Sequence, residues 1–255
     1  SVSGGAPISP DIVRFFYAAG IPILEGYGLT ETSPVIAVNT FAALRPGSVG
    51  RPVPGVEVRI AEDGEILTRG PHVMKGYYHK PEQTAEVLDP DGWFHTGDIG
   101  RLDQDGFLYI TDRKKDLIVT AGGKNIAPQP IEGRLKTNPF VTHAVMLGDK
   151  RKYPILLLVP NFEKLRGWAK AEGLTFGDDE GLVALPAVQT KMELEAKKHL
   201  RDLAQFEVPK KFLLLPRDFS IDRGELTPKL SIRRKIVEQN YQAEIAKLYD
   251  GAEAI

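Results

Sequence analysis

Glu25-Gly26-Tyr27-Gly28-Leu29-Thr30-Glu31-Thr32 is the stretch on which the reading of this chain turns. It follows the apolar run 21–24 and gathers an aromatic ring, two glycines, hydroxyls and a carboxylate into eight residues. Those are the parts of a small nucleotide site. The Tyr27 ring can stack on a base, and Gly28 lets backbone approach a phosphate closely. Thr30 can donate a hydrogen bond, and Glu31 can hold a magnesium ion. A Gly-Tyr-Gly turn after a buried strand needs no ligand, so the surrounding sequence must decide.

Composition narrows the choices. The chain has 255 residues, 42% hydrophobic and 26% charged, enough for more than one core. A formal net charge of −1 gives no general attraction to nucleic acid, and no such partner is expected. The absence of cysteine excludes disulfides, thiolate zinc sites and a cysteine nucleophile, and suits a cytoplasmic setting. No apolar run approaches the ~20 residues of a membrane span. The five histidines are scattered without ligand spacing, so no histidine metal site is expected.

Between about residues 45 and 112, short alternating runs are joined by turn dipeptides. Val56, Val58 and Ile60 alternate with polar residues before Asp63-Gly64, and Asp105-Gly106 leads into Phe107-Leu108-Tyr109-Ile110. Asp-Gly tolerates the positive φ of tight hairpin turns, which predicts a small β-rich, barrel-like unit. The second half mixes types. A short helix is expected over 131–137, strands over 141–148, 154–159 and 212–215, and helices over 162–172 and 187–204. Over 231–249, Val237, Tyr241, Ile245 and Leu248 form one apolar stripe at helical spacing. The polar run 112–116 marks the boundary, giving domains 1–112 and 113–255.

Further motifs follow in order. Gly4-Gly5-Ala6-Pro7 suits backbone approach to a flat ligand, and equally a plain turn before a helix over 10–19. Thr96-Gly97-Asp98 can present a carboxylate to both hydroxyls of a ribose, or form an ordinary turn. Asp112-Arg113-Lys114-Lys115-Asp116 and Gly122-Gly123-Lys124-Asn125 read singly as a solvated linker and a turn.

In this order the series resembles the adenylate-forming superfamily of acyl-CoA synthetases, luciferases and peptide-synthetase adenylation domains. Gly64-Glu65-Ile66 with Arg69-Gly70, Trp93 to Asp98, and the Asp-Arg-Lys-Lys-Asp run all contribute. The stretch 123–132, Asp149-Lys150-Arg151 and Glu225-Leu226-Thr227-Pro228 look most like the long-chain fatty acyl-CoA synthetases. The resemblance implies an α/β (α+β) chain: the β-rich end of a large domain, followed by a small mobile α/β domain. It implies ATP, magnesium and coenzyme A. A fatty acid carboxylate attacks the α-phosphate of ATP to give an acyl-adenylate and pyrophosphate, and the thiol of coenzyme A then displaces AMP.

Carried over by resemblance, Thr30 contacts the α-phosphate and Glu31 holds magnesium. Tyr27 stacks on adenine, with Gly5 and Ala6 lining the base pocket. Asp98 and Arg113 hold the ribose, Asp112 is the hinge, and Gly123 borders the channel for the pantetheine arm. The family's phosphate loop ending in Pro-Lys-Gly is not found in this stretch, so the chain is expected to be the C-terminal portion of a longer enzyme, inactive alone. The family's terminal catalytic lysine aligns with Ser231, and Lys229 stands two residues earlier. Lys229 is the expected replacement, weighed equally against an exposed surface lysine.

Two rivals accompany this reading. One is an adenylation domain or fatty-acyl-AMP ligase serving a carrier protein, and the other is a non-catalytic fragment that binds nucleotide or a partner. Residues 191–235 carry 12 Lys or Arg against 7 Asp or Glu, a face open to solvent, coenzyme A phosphates or peripheral membrane contact.

Overall fold

The computed structural model describes residues 1–5, 8–228 and 230–250. The chain divides into two compact units, Ser1–Lys115 and Asp116–Ile255. The division falls a few residues beyond the boundary expected at 112.

In the first unit, β1 (Val2–Ser3) runs parallel to β2 (Leu24–Gly28), with α1 (Pro10–Ala18) as the crossover. Pro10 starts the helix where a missing N–H costs nothing. β3 (Val35–Val38) pairs antiparallel with β2, and β4 (Arg51–Pro52) extends the sheet. A second sheet follows as an antiparallel meander of β5 (Glu57–Ile60), β6 (Glu65–Arg69), β7 (Phe94–Leu102) and β8 (Leu108–Arg113). Short α2 (Pro81–Val87) interrupts the connection from β6 to β7.

Both Asp-Gly pairs turn as their chemistry predicts. Gly64 has φ +86° and Gly106 φ +77°, values that glycine adopts without Cβ strain. The barrel-like unit, however, is an open sheet among the described residues, with β5 and β8 at its edges. Its β8 edge is met instead by backbone bonds from Val49 to Leu108 (2.9 Å) and from Leu108 to Gly50 (2.8 Å). Tyr27, Ile36, Ala37, Ile66 and Leu108 form the core.

The second unit begins with the antiparallel pair β9 (Ile118–Val119) and β10 (Asn125–Ile126), then α3 (Pro128–Leu135). β11 (Val141–Leu147) pairs antiparallel with β12 (Ile155–Pro160). Three helices, α4 (Phe162–Ala171), α5 (Asp179–Ala184) and α6 (Pro186–Lys198), then lead to β13 (Lys211–Leu214), parallel to β12. The long crossover is what a parallel pair requires.

β12 is the middle strand and is buried along its whole length. Leu156 and Leu158 pack with residues of α3, α4 and α6, whereas Ile155, Leu157 and Val159 pack with Val237, Tyr241 and Ile245. Covering on both faces explains why this strand is apolar without alternation. The expected element over 231–249 is two helices, α7 (Arg234–Asn240) and α8 (Gln242–Tyr249), separated by Tyr241 at φ −114°. The apolar stripe persists across the break, so burial follows the predicted spacing even where the helix does not. The whole is a mixed α/β structure, as the sequence predicts, and no described helix is long and apolar enough to cross a membrane.

Candidate functional site

The register of the β7–β8 hairpin sets Asp98 directly opposite Arg113. Arg113 Nε donates to Asp98 Oδ1 at 3.0 Å, and the Tyr27 hydroxyl donates to Oδ2 at 2.7 Å. Asp98 is only 3% exposed. Burial raises its pKa above the usual carboxylate value, against the lowering effects of Tyr27, Arg113 and Lys115. Burial, with the Asp98 charge, also pushes the Tyr27 hydroxyl up, so Tyr27 stays protonated as the donor. A buried carboxylate between a neutral and a cationic donor can accept hydroxyl groups that replace either one.

Beside this pair, β2 ends in a bulge between Tyr27 and Gly28. A Cβ on Gly28 would lie 1.6 Å from the Pro34 carbonyl oxygen, so only glycine allows the backbones to meet here. A turn over Thr30–Thr32 follows, and the Thr32 hydroxyl accepts the Leu29 N–H at 2.9 Å. Thr30 is left exposed. Glu31 is held twice from segment 74–77: its carbonyl accepts the Met74 N–H at 2.8 Å, and Oε1 accepts the Tyr77 hydroxyl at 2.9 Å.

A cavity of about 330 Å³ opens between these groups, within the first unit; Glu31, Glu65, Tyr77, Gly97, Arg113 and Lys114 are among its walls. Tyr77 and Glu65 are functional candidates that the sequence did not single out by role. Glu65 is buried and gathers Gly97 N–H, Lys114 and His95 around its carboxylate. Glu65 stood inside a recognised motif, which was the available signal. Tyr77 stands 46 residues from Glu31 in sequence, and no spacing rule reaches that far.

The AMP-binding enzyme profile matches residues 1–78, and the AMP-binding enzyme C-terminal domain profile matches residues 115–253. The chain belongs to the AMP-binding enzyme family. It is 42% identical, over 98% of its own length, to a long-chain-fatty-acid–CoA ligase of Mycobacterium bovis. It is 35% identical over 97% of its length to a long-chain-fatty-acid–CoA ligase of Mus musculus. The chain spans 42% and 40% of the lengths of these two relatives. Among solved structures it is similar to the adenylation domain of carboxylic acid reductase from Segniliparus rugosus, in complex with AMP and a co-purified carboxylic acid. There the TM-score is 0.77 at 26% identity, over 98% of this chain and 39% of that one. It is also similar to o-succinylbenzoate coenzyme A synthetase from Bacillus subtilis in complex with ATP and magnesium. There the TM-score is 0.67 at 28% identity, over 92% and 45% of the two chains. Both of these neighbours hold an adenine nucleotide.

Other expected positions of this member of the AMP-binding enzyme family are placed less tightly. Gly5 is exposed at φ +79° with open space around it, and Ala6 lies outside the described residues. Gly123 sits at φ +72° in the exposed β9–β10 turn, its N–H donating to the Thr120 carbonyl at 2.8 Å. Asp112 is 1% exposed and paired with Ile99 inside β8. A residue locked in a sheet ladder is stiffer than the exposed segment its polarity suggested. The chain leaves the first unit at the short turn Lys114–Asp116.

Lys229 also lies outside the described residues. The flanks of its stretch are anchored. Leu226 bridges Ile232, and the Thr227 N–H donates to the Ser231 carbonyl at 2.8 Å. Preceding them, the fully buried Glu225 accepts Arg217 at 3.1 Å through both oxygens, Arg223 at 3.1 Å and Asn240 at 3.2 Å. Following them, Arg234 donates to Glu132 at 2.5 and 3.0 Å and to the Met146 carbonyl at 2.6 Å.

No group of three or more His, Cys, Asp or Glu side chains that could hold a metal occurs among the described residues. Glu31 beside the exposed Thr30 nevertheless suits magnesium, which is commonly held by one or two carboxylates together with substrate phosphates and water.

Proposed function

We propose that the protein carrying this chain is an ATP-dependent long-chain fatty acid–CoA ligase that activates a carboxylate as its adenylate and passes the acyl group to coenzyme A. The observation that carries the reading is the buried Asp98 with its Tyr27 and Arg113 donors, set on the same unit as Glu31. Similarity to long-chain-fatty-acid–CoA ligases at 42% identity supports the choice of substrates.

In this reading Asp98 and Arg113 bind the ribose hydroxyls, which take over acceptor positions now filled by Tyr27. Tyr27 presents its ring to adenine, with Gly5 and Ala6 beside the base. Gly28 keeps the backbone close to the phosphates, and Thr30 donates to the α-phosphate, whose oxygens gather charge in the first transition state. Glu31 would hold magnesium, oriented by Tyr77; the ion supplies neutralisation of phosphoryl charge when bound. Lys229 contributes a further ammonium in the first step, and Gly123 borders the pantetheine path in the second. Between steps, the second unit turns about the junction between Lys115 and Asp116.

A second reading, acyl delivery to a carrier protein, is favoured by likeness to an adenylation–carrier didomain of carboxylic acid reductase at TM-score 0.76. The deciding experiment incubates the full-length protein with ATP, magnesium, palmitate and coenzyme A. Palmitoyl-CoA, AMP and pyrophosphate are expected. ADP as product would overturn adenylation, and pyrophosphate with retained acyl-adenylate but no thioester would favour the carrier reading.

A further inference from the structure

Glu65 is a carboxylate in a core position. It is 4% exposed on β6, next to the fully buried Ile66. Oε1 accepts the Gly97 N–H at 2.9 Å. Oε2 accepts Lys114 Nζ at 2.8 Å and lies 3.2 Å from His95 Nδ1. Lys114 is shared with Asp63 at 2.7 Å on the hairpin turn before Glu65. One side chain thus joins segments 32 and 49 residues away in sequence.

Burial works to raise the pKa of Glu65, but the Lys114 ammonium, the Gly97 N–H and His95 outweigh it and hold the carboxyl below its ordinary value. It is therefore ionised at neutral pH and unsuited to be a general base. Burying an ion costs several kcal/mol before pairing, and an apolar side chain could fill the same space. The partners explain why a charge is kept. Gly97 immediately precedes Asp98, and Lys114 immediately follows Arg113.

We infer that Glu65 is a positioning residue for the nucleotide, one carboxylate that fixes the irregular Gly97 segment of β7 next to Asp98 and holds the Lys114 ammonium at the cavity wall beside Arg113. The inference rests on the adenylation reading above and adds to it. Lys114 becomes a nucleotide contact whose place depends on Glu65, and neither residue touches the acyl group or the thiol.

The test uses the full-length protein with Glu65→Gln, Lys114→Met and the double variant. AMP binding is measured by calorimetry, KM for ATP, fatty acid and coenzyme A by steady-state kinetics, and folding by thermal melting. Loss of a hydrogen bond to a charged group predicts about a tenfold rise in KM for ATP and in the AMP Kd for Glu65→Gln. The KM values of the other substrates and kcat should change little, the signature of lost nucleotide binding. Lys114→Met should give a smaller rise in the same two constants. The double variant should be no worse than Glu65→Gln, because the two groups act as one unit. Parental AMP affinity in both single variants, additive effects, or KM rising alike for all substrates would overturn the inference. Should Glu65→Gln fail to fold, the half-exposed Lys114 decides: parental AMP affinity in Lys114→Met refutes it. If the parent itself binds no AMP, the adenylation reading fails first, and visibly so.

Discussion

Gly28→Ala is the substitution for which the structure gives the sharpest magnitude. Its added Cβ would stand 1.6 Å from the Pro34 carbonyl oxygen and 2.6 Å from the carbonyl carbon. Ordinary carbon contacts begin near 3.5 Å, so β2 and the segment entering β3 must part by about 2 Å. Both neighbours are backbone, so no side chain can swing aside. The turn Thr30–Thr32 starts two residues later and must share the displacement. A misplacement of about 1 Å at reacting groups can cost about 10²-fold in rate, and over-packing costs about 1–3 kcal/mol of stability. ATP–pyrophosphate exchange by the full-length protein should therefore fall by about two orders of magnitude, with a lowered melting temperature. Gly167→Ala in α4, where a Cβ meets nothing within 4 Å, is the control and should retain full exchange. Parental exchange and melting in Gly28→Ala would refute the close-approach argument.

Tyr77→Phe removes the donor to Glu31 and should raise the magnesium concentration needed for half-maximal exchange by about tenfold; an unchanged magnesium titration would count against Glu31 as the metal residue. Lys229→Ala should slow adenylate formation on the order of 10²–10³-fold while sparing thioester formation from supplied acyl-adenylate, and Ser231→Ala should do little. Measuring the half-reactions separately on the full-length variants decides this, and parental adenylation in Lys229→Ala makes it a surface charge. Glu195 is held at about 2, below its reference 4.5, by Lys191, Lys198 and Asn138 against burial. A depressed carboxylate stabilises above its unfolded value and loses that contribution as pH falls from 4.5 toward about 2. With screening of the exposed Lys198, Glu195→Gln should cost about 2 kcal/mol at pH 7 and almost nothing near pH 2, read from urea melts at both values.

Local chemistry was the legible part of this chain. Asp63-Gly64 and Asp105-Gly106 marked both hairpins because the turn requirement sits in the two residues themselves. The unbroken run in β12 marked a strand, although only the structure shows the helices that cover its two faces. The stop at Tyr241 was not legible, since the apolar stripe continues through it. Within the candidate site, Tyr27, Thr30, Glu31, Asp98 and Arg113 lay in recognisable motifs. Tyr77 and the partners of Glu65 did not, because their contacts arise only when distant strands pair. The burial of Asp112 was illegible for a related reason: polarity suggested exposure, whereas strand pairing buries it.

The two buried carboxylates flanking the stretch between Leu226 and Ile232 have an engineering consequence. Glu225 with its arginines secures one stem, and the Glu132–Arg234 pair secures the other. Such a frame behaves as a socket: what is plugged in between can be exchanged without rebuilding the mount. Segments with a lysine placed at position 231 become graftable cassettes. The placement of the ammonium could then be tuned by a handful of codons while the rest of the second unit stays untouched.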